Sequence, residues 1–188
     1  MAYFESQTYK NENFSNQPLE KGQYEECVFE QCDFTESDLS SILFIDCRFV
    51  DCNLSLVKVH STAFQSVEFL NCKMIGLIFA DCNPFGLQIR FERCQLNNAS
   101  FYKLKLKKTA FVGCQCKETD FVEADLQEAD FSESDLGGAM FELTNLQKAD
   151  FRTASHFSID VERNQMAKAK FSRQGLSGLL EKYKLNIE

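Results

Sequence analysis

The chain of 188 residues lacks several features that would indicate common functions. Basic residues are few: 20 lysines and arginines stand against 28 acidic residues, a net charge of −8. A protein that binds a phosphate backbone needs a basic surface, so this balance argues against direct contact with nucleic acid. The chain also lacks a long apolar run, and its N-terminus lacks a basic segment followed by an apolar one. We therefore expect a cytoplasmic protein that does not contact the membrane.

Motifs for catalysis and for cofactor binding are also missing from the sequence. There is no Walker loop and no GxGxxG, and Gly137-Gly138 is too short to cradle a phosphate. The two histidines, His60 and His156, belong to no Ser–His–Asp or Cys–His grouping. We expect no enzyme activity, no cofactor, no metal and no small-molecule substrate.

Phenylalanine is abundant, with 19 residues, and it recurs every fifth position. One series runs from Phe4 to Phe79 and a second from Phe91 to Phe151. Every position in both series is apolar or aromatic, counting Cys116 as apolar, and the two series contain 16 of the 19 phenylalanines. A period of five fits neither an α-helix nor a β-strand. It predicts a solenoid, a narrow square tube in which each pentad turns one large and one small residue inward.

Four pentads make one coil, and one coil is longer than the others. Phe29, Phe49 and Phe69 are 20 residues apart, whereas the step from Phe69 to Phe91 is 22. This difference predicts a two-residue insertion between residues 80 and 90. Proline and glycine interrupt regular backbone, so a bulge is expected at four consecutive residues. These residues are Asn83, Pro84, Phe85 and Gly86.

The pentads at residues 124–128 (ADLQE) and 129–133 (ADFSE) resemble those of the pentapeptide-repeat family, whose pattern is small, Asp/Asn, Leu/Phe, polar, any. The resemblance covers Tyr24 to Phe151. It implies an all-β protein, a right-handed quadrilateral β-helix, with a short C-terminal helical cap. We expect the repeat domain to span residues 1–156, with the period ending after Phe151. Residues 157–188 are expected to form the cap and dimerisation element.

The nine cysteines follow the same period. Eight hold the small inward position, and Cys116 holds a large one. Stacked coils would bring cysteines within disulfide reach, but a buried free cysteine acts as a small apolar residue. Cys114 and Cys116, the one close pair, would both point inward with no neighbouring histidine. We therefore expect structural thiols and no zinc site.

The C-terminal tail departs from the repeat. Ser172 to Tyr183 has the spacing of a helix with Ser172 as its N-cap, and Lys184 to Ile187 alternates like a short strand. The tail is expected to cap the last coil. It also resembles the C-terminal cap of Qnr, MfpA and McbG proteins, which implies a homodimer of rods joined end to end. The expected cap and dimer residues are Leu176, Leu179, Leu180, Tyr183, Leu185 and Ile187.

Charge is distributed in bands along the sequence. Residues 118–150 hold ten acids and one base, residues 20–51 hold nine acids and two bases, and residues 90–108 hold six bases and one acid. One reading is that outward positions only provide solubility. The other is that a stiff acidic rod presents a potential like that of DNA and enters a basic cleft. The candidate binding residues are Glu118, Asp120, Glu123, Asp125, Glu128, Asp130, Glu133 and Asp135.

The resemblance to Qnr, MfpA and McbG proteins also implies a function. Those proteins bind DNA gyrase and protect it from fluoroquinolones or peptide toxins. By this resemblance the chain is a DNA mimic that binds gyrase or topoisomerase IV, and it confers quinolone resistance or toxin immunity. It lacks the larger loops of some Qnr proteins, so the loop-poor MfpA and McbG style is the closer match. The alternative is a rigid cytosolic interaction scaffold with an unrelated partner.

Overall fold

The computed structural model describes residues 2–186, and within them the regular structure is almost entirely extended. The strands are β1 (Ala2–Glu5), β2 (Thr8–Lys10), β3 (Gly22–Glu25), β4 (Val28–Glu30), β5 (Leu43–Ile45), β6 (Arg48–Val50), β7 (Ala63–Gln65), β8 (Val67–Leu70), β9 (Ile89–Glu92) and β10 (Phe111–Val112). Three 3₁₀ helices cover Phe79–Asp81, Gln174–Leu179 and Glu181–Tyr183.

All strand pairing is parallel, and it joins each coil to the next. One sheet has the order β1-β3-β5-β7 and the other β10-β9-β8-β6-β4-β2. Beyond the strands, isolated parallel bridges continue the ladders, as between Asp33 and Asn53 or Asp130 and Asp150. The predicted quadrilateral β-helix is therefore confirmed: four flat faces meet at four corners.

Stacked aromatic rings fill the interior of the rod. The longest stack holds nine rings, with centroids 4.7–5.4 Å apart at every step. It consists of Tyr9, Phe29, Phe49, Phe69, Phe91, Phe111, Phe131, Phe151 and Phe171. Rings on neighbouring faces meet edge-on, as Phe101 meets Phe111 at 5.4 Å and 85°. Both geometries are favourable for aromatic pairs. The five-residue period therefore places phenylalanine inside the rod, as predicted.

We number the faces by the pentads in chain order, so that the first face begins at Phe4, the second at Tyr9, the third at Phe14 and the fourth at Leu19. Paired residues are 20 apart up to the bridge between Ala63 and Asn83 and 22 apart from the pair Val67 and Ile89 to the bridge between Ile78 and Ser100. From the pair Phe91 and Phe111 onward they are 20 apart again. The two extra residues thus lie between Asn83 and Ile89, on the first face.

Two kinds of corner occur along the rod. Where the small inward residue is alanine, its N–H donates to the carbonyl of the preceding inward residue, as from Ala124 to Phe121 (3.1 Å). Most cysteine corners lack this bond in the described part of the chain. There the thiol donates to a carbonyl one coil earlier, as from Cys52 Sγ to Phe29 O (3.3 Å). The type of small inward residue, alanine or cysteine, therefore correlates with the hydrogen-bond pattern of its corner.

Every kind of corner uses left-handed backbone at the position two after the inward residue. Non-glycine residues adopt it repeatedly, including Glu36 (φ 57°), Lys103 (φ 60°) and Glu123 (φ 57°). Such a conformation is uncommon outside glycine, and here the ladder on both sides of each corner holds it in place.

The C-terminal part differs from expectation in three ways. Pairing does not end after Phe151, because Asp150 bridges Lys170 and the Phe171 ring stacks on Phe151 at 5.2 Å. The helical cap is present as two 3₁₀ helices rather than one continuous helix. Gly178, inside the first of these helices, approaches Phe157 so closely that a Cβ there would overlap the Phe157 carbonyl oxygen.

The third difference is the predicted strand from Lys184 to Ile187. Residues 184–186 form no strand, because Lys184 adopts left-handed backbone (φ 49°) and ends the extended alternation. Ile187 lies outside the described residues.

Candidate functional site

The eight candidate carboxylates form a ring around one coil. Parallel bridges place Asp120 on the fourth face, Asp125 on the first, Asp130 on the second and Asp135 on the third. The glutamates lie at the corners between them, all with left-handed backbone. We call these eight residues, Glu118 to Asp135, the acidic girdle. Sequence spacing brings them to one coil but spreads them over all four sides.

The girdle aspartates have a structural role in addition to their charge. Each lies directly before an inward residue, and its Oδ1 accepts the N–H two residues later: Val122 for Asp120 (2.9 Å) and Ser132 for Asp130 (2.9 Å) are examples. Such side-chain bonds stabilise tight turns. Aspartate therefore recurs at this position for the turn as well as for any partner.

The side chains of the girdle glutamates accept no such hydrogen bond from the described backbone, and they differ in their ion-pair partners. Glu123 Oε2 lies 3.4 Å from Lys103 Nζ, and Glu128 Oε1 lies 3.2 Å from Lys148 Nζ. Glu118 and Glu133 form no ion pair within residues 2–186. Gly138 lies over Glu118 one coil later, where a Cβ would be 2.5 Å from Glu118 Oε1. Because glycine has no Cβ, the Glu118 carboxylate can lie over Gly138 without a steric clash.

Hydrogen bonds and cations stabilise the charged form of several acids. Lys148, by its hydrogen bond, holds the pKa of Glu128 below its usual value. Burial acts to raise the pKa of Asp135, but the bond from His156 (2.9 Å) and the contact with Lys117 (3.2 Å) outweigh it, and the pKa is lowered. Exposed ion pairs of this kind contribute little stability. Their main effect is to keep these two acids ionised.

The cationic partners of the girdle were missed by sequence reasoning. Lys103 precedes Glu123 by 20 residues, Lys108 precedes Glu128 by 20, and Lys148 follows Glu128 by 20. The coil length of 20 residues could have predicted these ion pairs, because residues 20 apart are neighbours on the same corner. The basic residues of the segment 90–108 therefore partly neutralise the acidic girdle, through Lys103 and Lys108.

All nine cysteines are buried and free. Cys114 and Cys116 both lie inside the rod, as expected. Burial raises the pKa of Cys47 to about 12, so its thiol stays protonated and unreactive. The described residues hold no cluster of three or more possible metal ligands.

The bulge and the tail expose apolar side chains. Phe85 is 80% exposed, and Asn83 Oδ1 accepts its N–H (3.0 Å). In the tail Leu179 contacts the core, while Leu176, Leu180, Tyr183 and Leu185 are exposed. The tail side chains therefore divide between covering the last coil and facing solvent.

Polar contacts fix the tail to the last coil. Lys182 Nζ lies 2.7 Å from both Asp160 Oδ1 and Glu162 Oε2, and the Ile159 N–H donates to Gly178 O (2.9 Å). The 3₁₀ segments thus lie across the end of the rod. Within residues 2–186, no helix has the length and apolar character needed to cross a membrane.

Comparisons with known proteins agree with this architecture. The family model for the pentapeptide repeat region matches residues 23–85 and 87–171. A trypsin-treated form of QnrB1, described as a plasmid-mediated fluoroquinolone resistance protein, aligns over 100% of both chains, with a TM-score of 0.65 and 17% identity. A second trypsin-treated form aligns over 98% of this chain and 99% of its own, with a TM-score of 0.64 and 18% identity. No curated protein sequence gives a significant match. At this identity the likeness shows the fold alone.

Proposed function

Since the chain belongs to the pentapeptide-repeat family, we propose that it is a DNA mimic that binds DNA gyrase or topoisomerase IV in the cytoplasm. It protects the enzyme from quinolones or from a gyrase-targeting toxin, and it performs no catalysis itself. The observation that carries the proposal is the acidic girdle: eight carboxylates around one coil of a stiff rod. The quinolone-resistance role of QnrB1, which shares the fold, supports it.

The electrostatics of the rod favour a basic partner. The whole chain carries a net charge of −8, and Glu118 and Glu133 are exposed corner carboxylates without cationic partners in the described chain. A basic cleft built for a double helix would attract such a surface over long distances. We infer that the girdle enters that cleft and that salt weakens the complex.

A homodimer would bring two girdles into one elongated molecule. We propose that the exposed tail side chains, Leu176, Leu180, Tyr183 and Leu185, form its interface. Leu180→Glu with Leu185→Glu should give a monomer in analytical ultracentrifugation, because buried carboxylates would be unpaired. Leu56→Glu, at an exposed corner several coils from the tail, is the control and should leave the dimer intact. A dimer that survives the tail substitutions would refute this interface.

The functional test is a gyrase supercoiling assay with and without ciprofloxacin. The proposal predicts that the protein inhibits supercoiling at high concentration and restores it in the presence of the drug at lower concentration. Bovine serum albumin at equal concentration is the control for nonspecific effects. An absence of both effects at micromolar protein would contradict the proposal.

One observation favours the alternative, a scaffold with an unrelated partner. Three girdle acids, Glu123, Glu128 and Asp135, have cationic partners, and the aspartates serve the turns. Part of the girdle charge is thus used within the molecule. A pull-down from bacterial lysate separates the two functions, since only the first predicts enrichment of gyrase or topoisomerase IV subunits.

A further inference from the structure

A basic recess lies where the bulge interrupts the first face. The ladder on this face is broken in the described chain between Asn83 and the bridge of Lys105 with Asp125. The break leaves an open recess of about 400 Å³. Its floor is made of Val67, Ile89 and Thr109, three successive small inward residues that are buried.

Four cations surround this recess on an otherwise acidic protein. They are Arg90, Lys105, Lys107 and Lys108. The one carboxylate on its lining, Glu68, already has Arg48 as a partner, with Nε and Oε2 3.5 Å apart. The recess therefore has a net positive charge.

Two of these four cations form only long ion pairs in the described chain, and the other two form none. Lys105 and Lys107 form no ion pair or side-chain hydrogen bond with any residue from 2 to 186. Lys108 and Arg90 lie 3.9 Å from Glu128 and Glu92, the longest ion-pair separations in the described chain. Most other basic residues, such as Lys10 and Lys182, have a carboxylate within 3.5 Å.

We propose that this recess binds a small molecule that bears two or more phosphate groups. Lysine and arginine are the residues that bind phosphate oxygens through charge-assisted hydrogen bonds. Four cations on the lining of one recess match a ligand with several negative charges better than a ligand with a single carboxylate. The recess of about 400 Å³ has room for more than one phosphate group. The recess borders the acidic girdle, since Lys105 bridges Asp125 and Lys108 pairs with Glu128, but the site stands whether or not the topoisomerase function holds.

The chain offers a matched pair of variants for the test. Lys105→Ala with Lys107→Ala removes two cations of the recess. Lys58→Ala with Lys73→Ala removes two exposed lysines of the third and fourth faces that also lack ion pairs within residues 2–186. Both variants remove two lysine charges, and Lys105, Lys58 and Lys73 all lie directly before an inward residue.

Isothermal titration calorimetry with sodium tripolyphosphate, at about 0.15 M salt, measures the site. We expect saturable binding of one anion per chain, at least about tenfold weaker in the recess variant and changed less than twofold in the control. A lack of saturable binding, or equal loss in both variants, would overturn the site. A single-stranded oligonucleotide is titrated in parallel by fluorescence anisotropy. Tighter binding of the oligonucleotide than of tripolyphosphate would overturn the small-molecule assignment, and weaker binding supports it.

Discussion

The coils before and after the bulge have the same fold with different corners. Before it, cysteine and valine dominate the small inward positions of the second face and the strands are regular, as in β6 and β8. After it come Ile89 and Thr109 and then alanine, as at Ala129 and Ala149, and no strand follows Val112 in the described chain. Apart from the break on the first face at the bulge, the ladders continue, since parallel bridges run on to Lys170. We therefore infer that the stacked inward residues provide most of the stability, whereas the residues at the corners can vary.

The two acidic regions, residues 20–51 and the girdle, share the same corner chemistry. Aspartates in both accept the N–H two residues later, as Asp135 accepts that of Gly137 (3.1 Å) and Asp33 that of Thr35 (2.9 Å). Exposed corner glutamates also occur in both, such as Glu133 in the girdle and Glu26 and Glu36 in the first acidic region. Substitutions at matched corners therefore test position along the rod rather than local chemistry.

The largest effect is expected from an inward ring. Phe111 stacks between Phe91 (5.2 Å) and Phe131 (5.1 Å), and Phe49 holds the same column before the bulge. Alanine at either position should lower the free energy of unfolding by about 3–5 kcal/mol. Urea denaturation measures both. Two separate unfolding transitions in either variant would show that the halves do not share one core.

A smaller effect is expected at the cysteine corners. Cys47 is buried, and its thiol donates to Tyr24 O (3.3 Å). Cys47→Ala should cost about 1–2 kcal/mol through lost packing. Cys47→Ser should cost less than alanine, because hydroxyls already make the equivalent bond, as from Thr119 Oγ1 to Leu96 O (2.8 Å). If serine is the more damaging change, the thiol bond has no role at these corners.

Much of the fold could be predicted from the sequence, because every fifth side chain is a large apolar residue that lies in the interior. The column of Phe49, Phe69 and Phe91 and the extra length before Ile89 both follow from spacing alone. The tail could not be predicted in the same way. Its position depends on contacts with the last coil, such as the Ile159 N–H that donates to Gly178 O (2.9 Å), and no local pattern encodes them.

The candidate site was predicted only in part. The eight carboxylates lie on one coil, as the period requires, but the pairing of Glu123 with Lys103 depends on the coil length rather than on the pentad. The turn bonds of Asp120 and Asp130 also require knowledge of the corner geometry. Charge counting along the sequence therefore overstates the free charge of the girdle.

Acid should destabilise the rod. The hydrogen bond from Arg152 lowers the pKa of Asp150, and bonds from Ser40 lower that of Asp38 to about 2. An unfolded aspartate titrates near about 3.9, so below that pH the unfolded state binds more protons and stability falls. The melting temperature should therefore be level above about pH 5 and drop below pH 4. Asp150→Asn should flatten that drop, and an unchanged profile would contradict the role of this carboxylate.

The smallest effect on stability is expected from the corner glutamates. Glutamine at Glu118, Glu123, Glu128 and Glu133 should change the free energy of unfolding by less than about 0.5 kcal/mol per site. Gln31 already holds a corner with φ 53°, so the backbone accepts this residue. Circular dichroism melts check the prediction. A loss comparable to that of Phe111→Ala would mean that the glutamates are structural.

The affinity of gyrase for this fourfold glutamine variant tests the central claim most directly, with Glu26→Gln and Glu36→Gln as the corner control in the first acidic region. If the girdle is the binding surface, surface plasmon resonance should show at least about a tenfold loss for the girdle variant and a much smaller loss for the control. Equal affinity of both variants and the unaltered protein would contradict the account.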